Sequence, residues 1–158
     1  MSTLPHWNKA MPLHTKLLVG LALLLSVPLA VAQVNVGELL DMGARKLSAE
    51  EFRQEIVQHM VVGPTSSGVH VELMYASSGV IQGRSSEASP VGGTTPFMAA
   101  IDGVWNIDDR SRTCASMVIG RSMLPFRCQY WFKYKDDYFV ADSDSDRRSQ
   151  ALRRAIKQ

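Results

Sequence analysis

VHVELMYASSGVIQG, Val69 to Gly83, is where the hydrophobic period of the chain changes. Val69, Val71, Leu73 and Tyr75 fall on one side of a strict alternation and His70 and Glu72 on the other, the pattern of a half-buried strand. Ser77-Ser78-Gly79 reads as a turn, with Gly79 suited to positive φ, and Val80-Ile81-Gln82-Gly83 as the returning strand. The stretch predicts a β-hairpin, and the period of two persists through most of the remaining chain.

Upstream, LSAEEFRQEIVQHM predicts a helix. Ser48 caps it, Glu51 three residues on closes a capping box, and Leu47 with Phe52 supplies the hydrophobic staple. Phe52, Ile56 and Met60 share one face with Val57 beside them, and Gly63-Pro64 is read as the stop. Before the helix, VNVGELLDMGARK is thinly patterned and reads as a linker or short helical turn.

Downstream of the hairpin, Ala88 to Pro96 is a loop by composition. In FMAAIDGVWNIDD, Phe97, Ala99, Ile101, Trp105 and Ile107 share a strand face, and Asp108 to Ser111 turns the chain. RTCASMVI and FRCQYWFKYK are two further strands joined by a connection holding Gly120 and Pro125. Cys128, Tyr130, Phe132 and Tyr134 share a face, with Trp131 opposite. Lys135-Asp136-Asp137 turns into YFVAD. The tail from Asp142 is charged, with Leu152 and Ile156 one helical turn apart. The predicted class is mainly β (α+β): an antiparallel meander of five to six strands, or an incomplete barrel, with one N-terminal helix packed on it. The organisation read from the chain is a cleaved signal peptide over 1–32, the linker over 33–46, the helix and β domain over 47–142, and a charged C-terminal tail or short helix over 143–158.

The leader is read from His6, Lys9, His14 and Lys16, the uncharged run LLVGLALLLSVPLAVA, and the small residues Ala30 and Ala32 at the positions a signal peptidase reads. Cleavage before Gln33 is expected, with no stable membrane anchor left, since the run is short for a span and carries Pro28. The destination is periplasmic or secreted. Removing Lys9 and Lys16 cancels the formal net charge of +2. A neutral domain of about 125 residues offers no patch for phosphates, so nucleic acid is not an expected partner.

The chain has 2 cysteines. In an oxidising compartment a pair such as Cys114 and Cys128 is expected to form a disulfide. Structural zinc would need His59 and His70 as well, without the usual paired spacing, and a redox role would want a C-x-x-C turn. No metal or other cofactor is expected.

The order of motifs adds a resemblance. L-S-A-E-E opening a helix, M-Y-A-S-S-G-V-I-Q-G, G-V-W-N-I, Cys114, Cys128 and Y-W-F-K-Y-K-D-D-Y, between Leu47 and about Ala141, together resemble a family of small exported bacterial domains of unknown function. That family has a helix, a Y-x-x-D-G-x-x-x-G hairpin, a G-x-W strand and two cysteines separated by a short arm. Ser78 stands here where aspartate is usual, and Lys135-Asp136-Asp137 replaces a glycine-containing turn. The resemblance implies architecture and export and brings no catalytic residues.

Candidates for chemistry each meet a plainer alternative. Asp142, Asp144 and Asp146 start like a calcium loop, but Arg147 and Arg153 stand where glycine and glutamate are needed. His70 has no framed nucleophile, and Asp102 with Asp108 or Asp109 would have to make a carboxylate pair. The expectation is a non-enzymatic exported module binding an envelope partner protein or a small apolar ligand through an aromatic face made of Trp105, Tyr130, Trp131, Phe132, Tyr134 and Tyr138. The alternatives are a small envelope hydrolase built on His70 and Asp102, and an inhibitor or immunity protein for an exported enzyme.

Overall fold

A computed structural model describes residues 34–87 and 97–157. The expected leader and the loop from Ala88 to Pro96 lie outside the described residues. The chain forms β1 (Val34–Asn35), α1 (Val36–Asp41), β2 (Arg45–Lys46), α2 (Ala49–Glu55), β3 (Met60–Pro64), β4 (His70–Tyr75), β5 (Val80–Glu87), β6 (Phe97–Ile107), β7 (Thr113–Ile119), β8 (Ser122–Tyr134), β9 (Asp137–Ala141) and β10 (Gln150–Lys157).

Each strand from β3 to β10 pairs antiparallel with its neighbour in sequence, and β10 pairs back onto β3 through Ala155↔Val62, Ile156↔Val61 and Lys157↔Met60. The result is a closed eight-stranded antiparallel barrel, which leaves no long raw edge. Two short strands add to it: β1 extends the ladder of β10 and β2 that of β8. The five- to six-stranded meander is therefore corrected. The missing strands are β3, read as the end of a helix, and β10, read as a charged tail or short helix.

Both misreadings have a physical cause. The helix expected to run to Gly63-Pro64 ends at Glu55, because Gln58 adopts φ 67 and its N–H turns to the Tyr75 carbonyl at 2.8 Å. Val61 then points inward and pairs with Leu73 across the hairpin of β3 and β4. In β10, Leu152 and Ile156 are inward, but four residues separate one helical turn and also two steps along one strand face. A third correction concerns Pro125, expected in a connection. It lies within β8 at an irregularity where Ala115 pairs Arg127 and Met117 pairs Leu124, a break in the ladder at which no amide is missed.

Two cores result. The barrel interior holds Val61, Val71, Leu73, Ile81, Ile101, Trp131 and Val140, with α2 contributing Phe52 at one end. A smaller core lies on the outer face of β8 to β10, where Val36 and Leu39 of α1 cover Phe132, Phe139, Ala141 and Ala151. Asn35 caps α1 in a capping box with Glu38, as Ser48 caps α2 with Glu51. Gly83 and Gly103 permit the close strand approaches that curvature demands, since a Cβ at the first would run into the Glu72 carbonyl oxygen and one at the second into that of Ser116.

Helix α2 is pinned as well as packed. The Glu55 carboxylate accepts from Lys133 Nζ at 2.7 Å and Tyr138 Oη at 2.6 Å, tying the helix to β8 and β9. Burial pushes this carboxyl up, but the hydrogen bonds from Lys133 and Tyr138 and the charges of Lys133 and Arg45 outweigh it and hold the group below its ordinary value. A carboxyl with a lower pKa in the folded chain stabilises it above the unfolded value, about 4.3, and that contribution drains away as pH falls through the folded value. Glu55→Gln should accordingly flatten the acid limb of stability below that unfolded value. Denaturant unfolding at a series of pH values checks it, and an unchanged acid slope would mean that Glu55 is not a source of it.

Candidate functional site

The barrel encloses a cavity of about 440 Å³. Its walls come from alternate residues of the strands, among them Val71, Leu73, Ile101, Met117, Val140 and Leu152, and its deep end is bounded by Tyr75 and Trp131. Below these rings lies α2. The Phe52 ring centroid sits 5.7 Å from Tyr75, 5.5 Å from Trp105 and 5.3 Å from Trp131, so an aromatic floor closes this end. The opposite rim is polar: Thr65, Ser66 and Ser67 of the turn between β3 and β4, Ser122 at the start of β8, and Ser149 and Gln150 at the start of β10. Among the described residues nothing closes that rim.

Among the described residues lining the cavity, one charged side chain is buried. Arg154 is 8% exposed and lines the cavity, while its Nη1 donates to the Pro64 carbonyl at 2.7 Å and to the Arg153 carbonyl at 3.1 Å. Among the described residues no carboxylate lies within salt-bridge distance of it, and the ion pairs these residues do form lie on the surface or at the α2 end. Its room is made by Gly63, where an added Cβ would meet Nη1 at 2.8 Å and the Arg153 oxygen at 2.6 Å. Burial pushes the Arg154 guanidinium down from its ordinary value, and pushes the Tyr75 phenol up.

The six aromatics nominated from the sequence do not make one surface. Trp131 lines the cavity, Trp105 is half-buried in the floor with its indole N–H donating to the Ala76 carbonyl at 2.9 Å, and Tyr138 packs against the same core beside Glu55. Tyr130, Phe132 and Tyr134 face outward into the small core covered by α1. Alternation along β8 separates these two groups, and the single aromatic face is corrected to an inner floor and an outer helix seat.

Nor do the polar candidates converge. His70 is level with Ser86 on β5, and Asp102 with Gln82, four positions further along. That is about 13 Å along the strand at the usual rise per residue. Both side chains are outside the barrel. Asp142 accepts from Gln129, Asp144 pairs with Lys46, and Asp146 accepts from the Arg148 amide, so the three aspartates serve separate local contacts. Cys114 and Cys128 stand directly opposite each other on β7 and β8, Cα atoms 3.9 Å apart, and form a disulfide. Asp108 lies near both sulfurs, but the bridge leaves no thiolate to bind an ion and Arg112 engages the carboxylate.

Arg154 escaped the sequence reading. The signal was present as L-R-R-A-I, a strand alternation whose central inward position is filled by a cation, and a charged residue there reads as solvent-facing.

Comparisons with family models, with curated proteins and with solved structures gave no match. The resemblance to small exported bacterial domains thus rests on its motifs alone, and the function must be argued from the barrel itself.

Proposed function

We propose that this is a non-enzymatic exported domain that carries a small apolar ligand inside its barrel. The observation that carries this reading is the cavity: about 440 Å³, apolar along its walls, floored by Tyr75 and Trp131 and ringed by hydroxyls at the rim. Cavities of that size and character are the usual form of small-molecule sites. Export is supported by the uncharged run of the leader with its A-x-A end and by the disulfide, a bond that persists in oxidising compartments. Against the hydrolase alternative stands the separation of His70 and Asp102 along the barrel wall.

A partner protein remains the second reading, and a specific surface favours it. Val104, Met123 and Phe126, on the outer face of β6 and β8, are 61%, 78% and 64% exposed, more apolar surface than an unpartnered sheet face needs. An inhibitor or immunity role would use such a face.

The test of the ligand reading uses the neutral fluorophore N-phenyl-1-naphthylamine. The wild-type domain should bind it with enhanced emission and quenching of Trp131. Ala115→Trp, which places an indole in the lumen from a wall position, should abolish binding while circular dichroism stays native. Undiminished binding by the filled variant, or none by the wild type, would overturn the lumen as the site.

A further inference from the structure

We infer that the ligand of the lumen is an anionic amphiphile whose single carboxylate head is held by Arg154. The inference rests on the lumen being a ligand site and says what enters it.

A guanidinium carries five N–H donors and cannot shed its charge in a protein. In Arg154 only Nη1 finds acceptors, the carbonyls of Pro64 and Arg153. Nε and Nη2 have none among the described residues, and the group faces the cavity. An isolated buried cation is costly, and most buried charges are paired. Here the fold spends more to keep it: Gly63 is bare where a methyl group would strike Nη1, and the carbonyl that Nη1 reaches is that of Pro64, the last residue of β3, beside the turn of Thr65 to Ser67 at the rim.

The remaining charges lining the cavity do not cancel it. Arg127 is a second cation, and Asp142, the one acid among the described lining residues, is exposed and accepts from Gln129. The lumen is thus an apolar tube with a net positive charge and free planar donors partway along it. A carboxylate matches that fork with two parallel hydrogen bonds. The apolar body would then lie against the Tyr75 and Trp131 floor or along the walls toward the rim.

The experiment displaces N-phenyl-1-naphthylamine from the full domain with dodecanoate and, separately, with dodecanol, which has the same tail and no charge. Wild type should prefer dodecanoate by about ten- to hundredfold, the range of hydrogen bonds to a charged group. Arg154→Met, which keeps length and removes charge, should bind dodecanol at least as well as wild type and lose the preference, while unfolding at the same or a higher temperature without ligand. Arg154→Lys should retain part of it. Equal binding of the two ligands by wild type, or a preference that survives in Arg154→Met, would overturn the head-group assignment and leave the lumen reading intact. If neither ligand nor the fluorophore binds, the lumen reading falls and takes this one with it. Should Arg154→Met fail to fold, the wild-type comparison and Arg154→Lys still decide.

Discussion

Phe52→Ala should lower the stability of the domain by about 3–5 kcal/mol, the range for removing a large aromatic from a packed site. Phe52 is the buried residue of α2 and is 2% exposed. A helix of 7 residues has almost no stability of its own, so its capping box and this ring must hold it in place. The ring meets Tyr75 edge-on at 88° and packs against two tryptophans that also face the barrel interior or its floor. Truncation therefore leaves a void beneath three aromatic faces at once, which the rigid barrel cannot collapse to fill. Urea unfolding measures the loss, and near-ultraviolet circular dichroism should report loosened tryptophans even where the protein remains folded. Phe52→Leu, keeping most of the volume, should cost far less. A loss below about 1 kcal/mol for the alanine variant would show that α2 does not form the floor.

Reducing the disulfide should cost about 2–4 kcal/mol. Cys114 and Cys128 are 14 positions apart, so the bridge withdraws a short loop from the unfolded ensemble, worth about 3 kcal/mol on the entropy account. It also guards a weak point. The ladder between β7 and β8 is irregular one pair beyond the bridge, between Ala115 and Met117, and a slipped register there would turn the inward residues of β8 outward. The unreduced, denatured protein should not react with a thiol reagent, and a chelator should not alter its unfolding midpoint. Free thiols under those conditions, or a midpoint unmoved by reduction, would contradict the structural role of the bridge.

Legibility in the sequence depends on how unambiguously a residue reports its surroundings. The hairpin of β4 and β5 is plain because Val71, Leu73 and Tyr75 alternate with His70 and Glu72, and the start of α2 because Ser48 and Glu51 are a complete cap. Helix α1 is harder to see although Asn35 and Glu38 hold the same relation, since Gly37 and Gly43 mask it and its apolar residues Val36 and Leu39 are few. Barrel closure is hidden for a different reason. It depends on pairing between β3 and β10, and one of those strands carries an arginine on its inward face while the other comes directly after a helix whose spacing it continues. The site is hidden with it, for the residue that disguises β10 is the one that gives the lumen its charge. Conflict between local pattern and tertiary role is expected where a fold has been bent to a task.

The seam between β3 and β10 also dictates an order of assembly. It joins strands at opposite ends of the barrel sequence through three residue pairs, against eight between β5 and β6. A chain emerging N-terminus first exposes β3 long before its partner exists, and for that interval Val61 and Val62 form an uncovered template for any other extended chain. The late, sparse seam makes this domain most vulnerable to misassociation while it is being made, and a holdase occupying β3 until β10 arrives would protect it more than any added strength in the finished barrel.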